Sequence, residues 1–374
     1  MIIALLVISA IFLSYSNGAN DNFKGVATLF GSGTTNYKKA ISWATITTFL
    51  GSVAAVFLAT TLVKNFSGKG LIPDELIQTP AFAVSIALGA AATVFLATKI
   101  GMPISTTHGL VGGLLGSGFI AVGTDFNFSK LGDTFLLPLI VSPVVALVIS
   151  LIAYLIFRKI RIASGITKET CFCIVDECGV SSYKAFNSEA IVIDTDVHKK
   201  IIMGTNQECI TKYNGNIFGF SAQSILDYAH YLSSGVVSFA RGLNDTPKIV
   251  GLLLVINTID IKYGMILIAV TIAVGGLLNA KKVGETVSKR ITPMDHGQGF
   301  TANLITSLLV TTASIHGLPV STTHVSVGSI FGIGTVTKSA DVKVVRNILM
   351  SWALTLPIAA IFSAVSYWLL LKLY

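Results

Sequence analysis

GMPISTTH (Gly101 to His108) and GLPVSTTH (Gly317 to His324) are one octapeptide written twice, with six of eight positions identical and the other two exchanging one apolar residue for another. The echo runs on past the histidines, where Val111, Gly112, Gly116 and Gly118 recur as Val327, Gly328, Gly332 and Gly334. Upstream, GANDNFK (Gly18 to Lys24) is answered by GLNDTPK (Gly242 to Lys248), so Asn, Asp and Lys keep their relative places. Each half thus carries an ND..K element followed by an STTH element. Paired polar clusters in an apolar chain are the mark of a membrane carrier built from internal repeats, with its substrate site where the repeats meet.

The composition agrees. Of 374 residues, 52% are hydrophobic and 12% charged, and the mean hydropathy of +0.76 does not suit a soluble globule. The chain reads as an all-α polytopic membrane protein. Runs able to cross ~30 Å of hydrocarbon as helices lie at Ile2 to Tyr15, Ala40 to Val63, Pro80 to Thr98, Phe135 to Phe157, Ala222 to Ala240, Tyr263 to Ala280, Phe300 to Ile315 and Ile348 to Leu371. Leu110 to Val122, Ile249 to Ile259 and Val325 to Val336 are too short or too glycine-rich for simple spans. They fit half-helices or re-entrant hairpins. The first run lacks a basic flank and a small-residue cleavage site, so it is expected to be retained.

The net charge of +8 is explained by where it sits. Arg158, Lys159, Arg161 and Lys168 follow one span, and Lys281, Lys282, Lys289 and Arg290 another; both loops are expected in the cytoplasm. Lys64 to Gln78, the first-half counterpart, balances two lysines with Asp74 and Glu75 and is expected outside. Equivalent loops on opposite sides mean an inverted repeat. Nucleic-acid binding is a poor reading, since no basic stripe interleaves with aromatic residues.

Three segments follow: a transmembrane repeat over 1–157, a cytoplasmic insertion over 158–219 and a second transmembrane repeat over 220–374. The insertion is polar, AIVIDTD (Ala190 to Asp196) reads as a short strand, and it holds all four cysteines, Cys171, Cys173, Cys178 and Cys209. These are weak metal candidates, because CFCIVDEC has no standard zinc spacing.

The motifs have a chemistry. Hydroxyls at a helix start, beside free backbone N–H groups, make an oxyanion site, which nominates Ser105, Thr106, Thr107, Ser321, Thr322 and Thr323 as ligands. His108 and His324 read as structural hydrogen-bonding groups. Asp21 and Asp245 lie where a carboxylate is costly and therefore functional. They can ligate a coupling cation, together with Asn20 and Asn244, or accept a hydrogen bond from a protonated oxyanion. The second role favours phosphate, which carries an OH near neutral pH, over sulfate, which does not.

These residues resemble the PiT family of inorganic phosphate transporters. GANDN looks like its GANDV signature, GLND like the second copy, and the two GxPxSTTH stretches like its paired substrate motifs. The resemblance covers both repeats and implies an inverted-repeat, commonly dimeric carrier that moves phosphate with Na⁺ or H⁺ by alternating access. It puts Asn20, Asp21, Asn244 and Asp245 on the ND motifs and both STT triplets on the substrate motifs. Three departures stand out. Lys24 and Lys248 end motifs the family commonly writes NDVAN; Asn303 replaces the glutamate of GFxAE; Thr48 stands where many members have an acid. The ammonium groups of Lys24 and Lys248 are expected to join the phosphate site and to replace bound sodium in part. A sulfate permease of the same fold is the alternative. An intramembrane hydrolase is disfavoured, since no GxSxG elbow is present, so no enzyme and no cofactor are expected beyond Na⁺ as a possible coupling ion. A channel would share the duplication, but broken helices carrying charge at the midplane fit a gated carrier better; a sensor whose cysteine-bearing insertion reports metal or redox state is a third class. The expected setting is a prokaryotic inner membrane, multi-pass, as a homodimer.

Overall fold

Hydrocarbon offers no partner for backbone N–H and C=O groups, so apolar runs of this length fold as helices. The computed structural model describes residues 1–167, 170–185, 188–205, 220–255, 260–291 and 293–373. Among the described residues the principal helices are α1 (Ile2–Asp21), α2 (Tyr37–Leu58), α3 (Pro80–Ile100), α4 (Thr106–Val122), α5 (Leu137–Ala163), α6 (Ala222–Val250), α7 (Ile261–Asn279), α8 (His296–Ile315), α9 (Thr322–Thr337) and α10 (Val342–Leu373). Six stretches among the described residues are long and apolar enough to span a bilayer: Ile2–Gly31, Tyr37–Leu58, Pro80–Ile100, Phe128–Ala163, Ile261–Asn279 and Val342–Leu373.

The distribution of side chains is that of a membrane protein. Ile140, Val144 and Val148 of α5, with Leu349, Leu354 and Ile361 of α10, are exposed, whereas Asp21, Lys24, Arg241, Asp245 and Lys248 are buried. In water this arrangement would cost heavily on both counts; in lipid the apolar surface is solvated and only the charges need partners.

The chain divides into two compact units, Met1–Tyr154 with His230–Tyr374, and Leu155–Ala229. Within the first, α1 packs on α3 and α7, α7 on α2, and α10 on α3 and α4. The α3/α4 and α8/α9 pairs repeat each other in detail. Gly101 and Gly317, at φ of 76° and 72°, turn the chain in the left-handed region that glycine alone enters freely. The next residues then close onto the preceding helix, Met102 N to Ala97 O at 2.9 Å and Leu318 N to Ala313 O at 2.8 Å. Proline follows in both, and Ser105 and Ser321 begin the next helix as N-caps, accepting from His108 N and His324 N at 3.2 and 3.3 Å.

Glycines after the caps cross the halves. A Cβ on Gly112 or Gly116 would collide with the Leu356 or Ala360 carbonyl of α10, and one on Gly328 or Gly332 with the Pro143 or Leu147 carbonyl of α5. The STTH helix of each half therefore packs against the long closing helix of the other.

Several helix limits differ from the sequence expectation. The run Ala40 to Val63 is not one helix, for α2 stops at Leu58 and a short helix covers Thr60–Asn65. The helix expected to end at Ala240 instead continues through Asn244, Asp245 and Pro247 to Val250. Buried polar neighbours allow a membrane helix to carry proline in this way. In the first half α1 ends at Asp21, and a 3₁₀ turn takes over at Asn22–Val26. Of the expected half-helix Ile249 to Ile259, Gly251–Val255 is 3₁₀, and 256–259 lie outside the described residues.

In the second unit, β1 (Thr170–Ala185) and β2 (Ser188–Thr205) form an antiparallel ribbon, and β3 (Phe220–Ser221) pairs with the other edge of β1. The expected short strand Ala190 to Asp196 is part of the longer β2, beside a register shift between Cys178 and Val180. Cys171, Cys173 and Cys178 are positions of β1. Their thiols, and Cys209 altogether, lie outside the described residues.

Candidate functional site

The capped STT triplets and the ND..K turns converge in the buried middle of the larger unit, and the bonds cross between halves. Lys24 Nζ donates to Asn20 Oδ1 at 2.8 Å, Ile104 O at 2.7 Å and Thr323 Oγ1 at 2.8 Å, and is bonded to Asp21 Oδ1. Lys248 Nζ donates to Thr107 Oγ1 at 2.7 Å, Val320 O at 2.8 Å and Asp245 Oδ1 at 3.3 Å. Ile104 and Val320 hold the same place, just before Ser105 and Ser321. Each lysine thus grips the carbonyl before its own half's STT and the last threonine of the other's.

The asparagines fix the turns in matching ways. Asn20 donates to Thr98 Oγ1 at 2.9 Å and Met102 O at 3.1 Å. Asn244 accepts from Ser314 Oγ at 3.1 Å and donates to Val320 O at 3.2 Å. Thr98 and Ser314 each stand three residues before the turn glycine. Asp21 is held by Thr106 Oγ1 and Asn17 Nδ2, both donating to Oδ2 at 3.1 Å. Thr323 Oγ1 lies 3.4 Å from its Oδ1 and 3.1 Å from Ile104 O. Asn17 Nδ2 also reaches Thr106 Oγ1 at 2.9 Å and Asp245 Oδ2 at 3.4 Å, tying the two carboxylates together.

All twelve residues nominated from the sequence for substrate or cation are buried in this region or at the caps that border it: Asn20, Asp21, Lys24, Ser105, Thr106, Thr107, Asn244, Asp245, Lys248, Ser321, Thr322 and Thr323. The serine oxygens are occupied as helix caps, which leaves their O–H groups to donate elsewhere. The histidines stand to one side. Their rings are 4.5 Å apart, His324 stacks on Trp352 at 3.8 Å, and His324 Nδ1 lies 3.1 Å from Leu139 O. They line an apolar cavity of about 580 Å³ between α5 and α10. Asn303 accepts from Thr28 at 2.9 Å, and Thr48 Oγ1 is buried without a partner among the described residues.

Two residues escaped the sequence reading. Asn17 and Arg241 hold the same place, four residues before Asp21 and Asp245, but differ in type, and a search for repeated identities passes over them. An arginine inside an apolar run was the available signal. Arg241 Nη1 lies 3.8 Å from Asp21 Oδ1, with both side chains almost fully buried. Counting it, three cationic side chains face two carboxylates, Asp21 and Asp245.

Buried fixed charges between pseudo-symmetric helical halves, enclosed by apolar surface, define a multi-pass membrane transport protein rather than an enzyme. Comparison with known proteins agrees. A profile described as "Phosphate transporter family" matches residues 17–363, and the chain belongs to that family. It is similar to a candidate phosphate permease of Pyrococcus abyssi, 29% identical over an alignment 404 positions long that covers 97% of this chain and 96% of that protein. It is also similar to the chloroplastic inorganic phosphate transporter 2-1 of Arabidopsis thaliana, 25% identical over 97% of this chain and 71% of that protein. A solved structure titled as the sodium-dependent phosphate transporter superposes with a TM-score of 0.77 at 25% identity, covering 100% of both chains.

Proposed function

We propose that this chain is a secondary transporter of inorganic phosphate that works by alternating access between two inverted repeats, 1–157 and 220–374, with 158–219 as a cytoplasmic insertion. The STTH stretches are the re-entrant hairpins, and the site lies between their tips. The observation that carries the reading is the crossed pair of bonds, Lys24 to Thr323 and Lys248 to Thr107. A site stitched from both halves is one that a rocking motion of one half on the other would open.

Phosphate would be held by the hydroxyls of Ser105, Thr106, Thr107, Ser321, Thr322 and Thr323, the ammonium groups of Lys24 and Lys248, and the carboxylates of Asp21 and Asp245 toward its OH. The setting of the lysines supports a second point. Carboxylate, amide, carbonyl and hydroxyl oxygens surround Lys24 Nζ, and these are the hard oxygen ligands that a cation such as Na⁺ takes. Asn20 and Asp21 thus serve the tethered ammonium of Lys24, and Asp245 that of Lys248, in place of a bound coupling cation, with Asn244 holding the turn beside them. Dependence on Na⁺ is weakened, and a proton carried on the phosphate becomes the coupling ion. The expected setting is a homodimer in a prokaryotic inner membrane.

Uptake of labelled phosphate into proteoliposomes, challenged with excess arsenate or sulfate, tests the reading. Saturable uptake blocked by arsenate and unaffected by sulfate is expected. Block by sulfate would instead favour a sulfate permease, to which the excess of cationic groups is also suited; no phosphate uptake would overturn the assignment.

A further inference from the structure

Arg241 is 1% exposed, yet Nε, Nη1 and Nη2 have no hydrogen-bond partner among the described residues. A guanidinium offers five N–H donors in a fixed fork. Its nearest counter-charge, Asp21 Oδ1, is 3.8 Å away, beyond hydrogen-bond reach, and already bonded to Lys24. A buried cation left in this state is among the most costly arrangements in a protein interior, and lipid-embedded arginines normally find partners. Nothing in the pseudo-symmetry calls for it either, because the equivalent residue Asn17 spends its amide on Asp21, Thr106 and Asp245.

We propose that Arg241 is the principal anion ligand of the transport site, binding a phosphate oxygen pair through its fork and completing its hydrogen bonds only when substrate is present. This rests on the phosphate reading above. The charges agree with it, since Lys24, Lys248 and Arg241 exceed Asp21 and Asp245 by one, which one univalent oxyanion neutralises. Planar, bidentate recognition of phosphate is the chemistry in which arginine exceeds lysine. The residue also breaks the two-fold likeness of the site. The anion therefore sits nearer the second-half helix α6 than the pseudo-axis.

The test is thermal unfolding of the purified full-length protein with and without inorganic phosphate, beside the KM and kcat of uptake, in wild type, Arg241→Gln and Arg241→Lys. In wild type, phosphate raises the Tm. Arg241→Gln is expected to keep or raise the phosphate-free Tm, because an unpaired buried charge is gone, to lose the phosphate-induced rise, and to raise KM by about tenfold or more. Arg241→Lys keeps charge but not the fork and should fall between. A phosphate-free Tm that drops in Arg241→Gln while the phosphate-induced rise and KM stay at wild-type values would mean a purely structural arginine and overturn the proposal. Wild type showing neither a phosphate-induced rise nor uptake would instead overturn the phosphate reading on which it stands.

Discussion

At the scale of single residues, the lysines are cations that the site carries itself. Lys24 and Lys248 are 3% and 1% exposed, and each completes its ammonium donors with oxygens from both halves. Removing one ammonium would strand a buried carboxylate, a loss of about 3–5 kcal/mol by the usual cost of breaking a buried pair. Restoring a soluble cation should repair it. The double variant Lys24→Asn, Lys248→Asn, which puts a neutral oxygen ligand in place of each ammonium, is therefore expected to gain a sodium requirement. Its initial phosphate uptake should be about tenfold or more faster in sodium than in choline, a difference of ~1.4 kcal/mol. Equal rates in the two salts would show that the ammonium groups do not stand in for sodium. These lysines were legible in the sequence because they are duplicated. Arg241 was not, because its counterpart is Asn17 and only a side chain's surroundings show that its nitrogens lack partners.

At the scale of elements, the α3/α4 and α8/α9 pairs owe their shape to three residues each: a left-handed glycine, a proline and a capping serine. Ser105 and Ser321 accept from the backbone at near-identical geometry, φ −102° and −100°, and a lost cap costs about 1 kcal/mol. Ser321→Ala should lower the unfolding free energy by that amount, and Ser321→Asn, another good cap, should recover most of it, as read from unfolding of the purified protein. If Ser321→Asn is no more stable than Ser321→Ala, the serine is not acting through the helix end. Helix existence could be read from apolar length, as for α1, α3 and α10. Helix ends could not. The break at Ala59 has no glycine or proline to announce it, and α6 runs on through Pro247 although proline usually interrupts a helix. Serine's capping role was likewise hidden, since a hydroxyl that binds anion and one that caps a helix are the same residue in sequence.

At the scale of the molecule, duplication decides the arrangement. Gly112 and Gly116 seat α4 on the last helix, while Gly328 and Gly332 seat α9 on α5. Each half is thus packed closely on the other through its own glycines, and the polar cluster lies where both meet. This much was legible, because a repeat fixes which residues must share an environment. The ribbon of β1 and β2 was legible only as a tendency, since AIVIDTD marks a strand without revealing its partner's length. Under the proposed function, the two halves build one phosphate site whose own ammonium ions do the work of sodium. The most direct measurement is the initial rate of labelled phosphate uptake by the wild-type protein in proteoliposomes, with sodium replaced by choline on both sides. The predicted result is saturable uptake at the same rate in either salt. A steep sodium requirement in the wild type would contradict it.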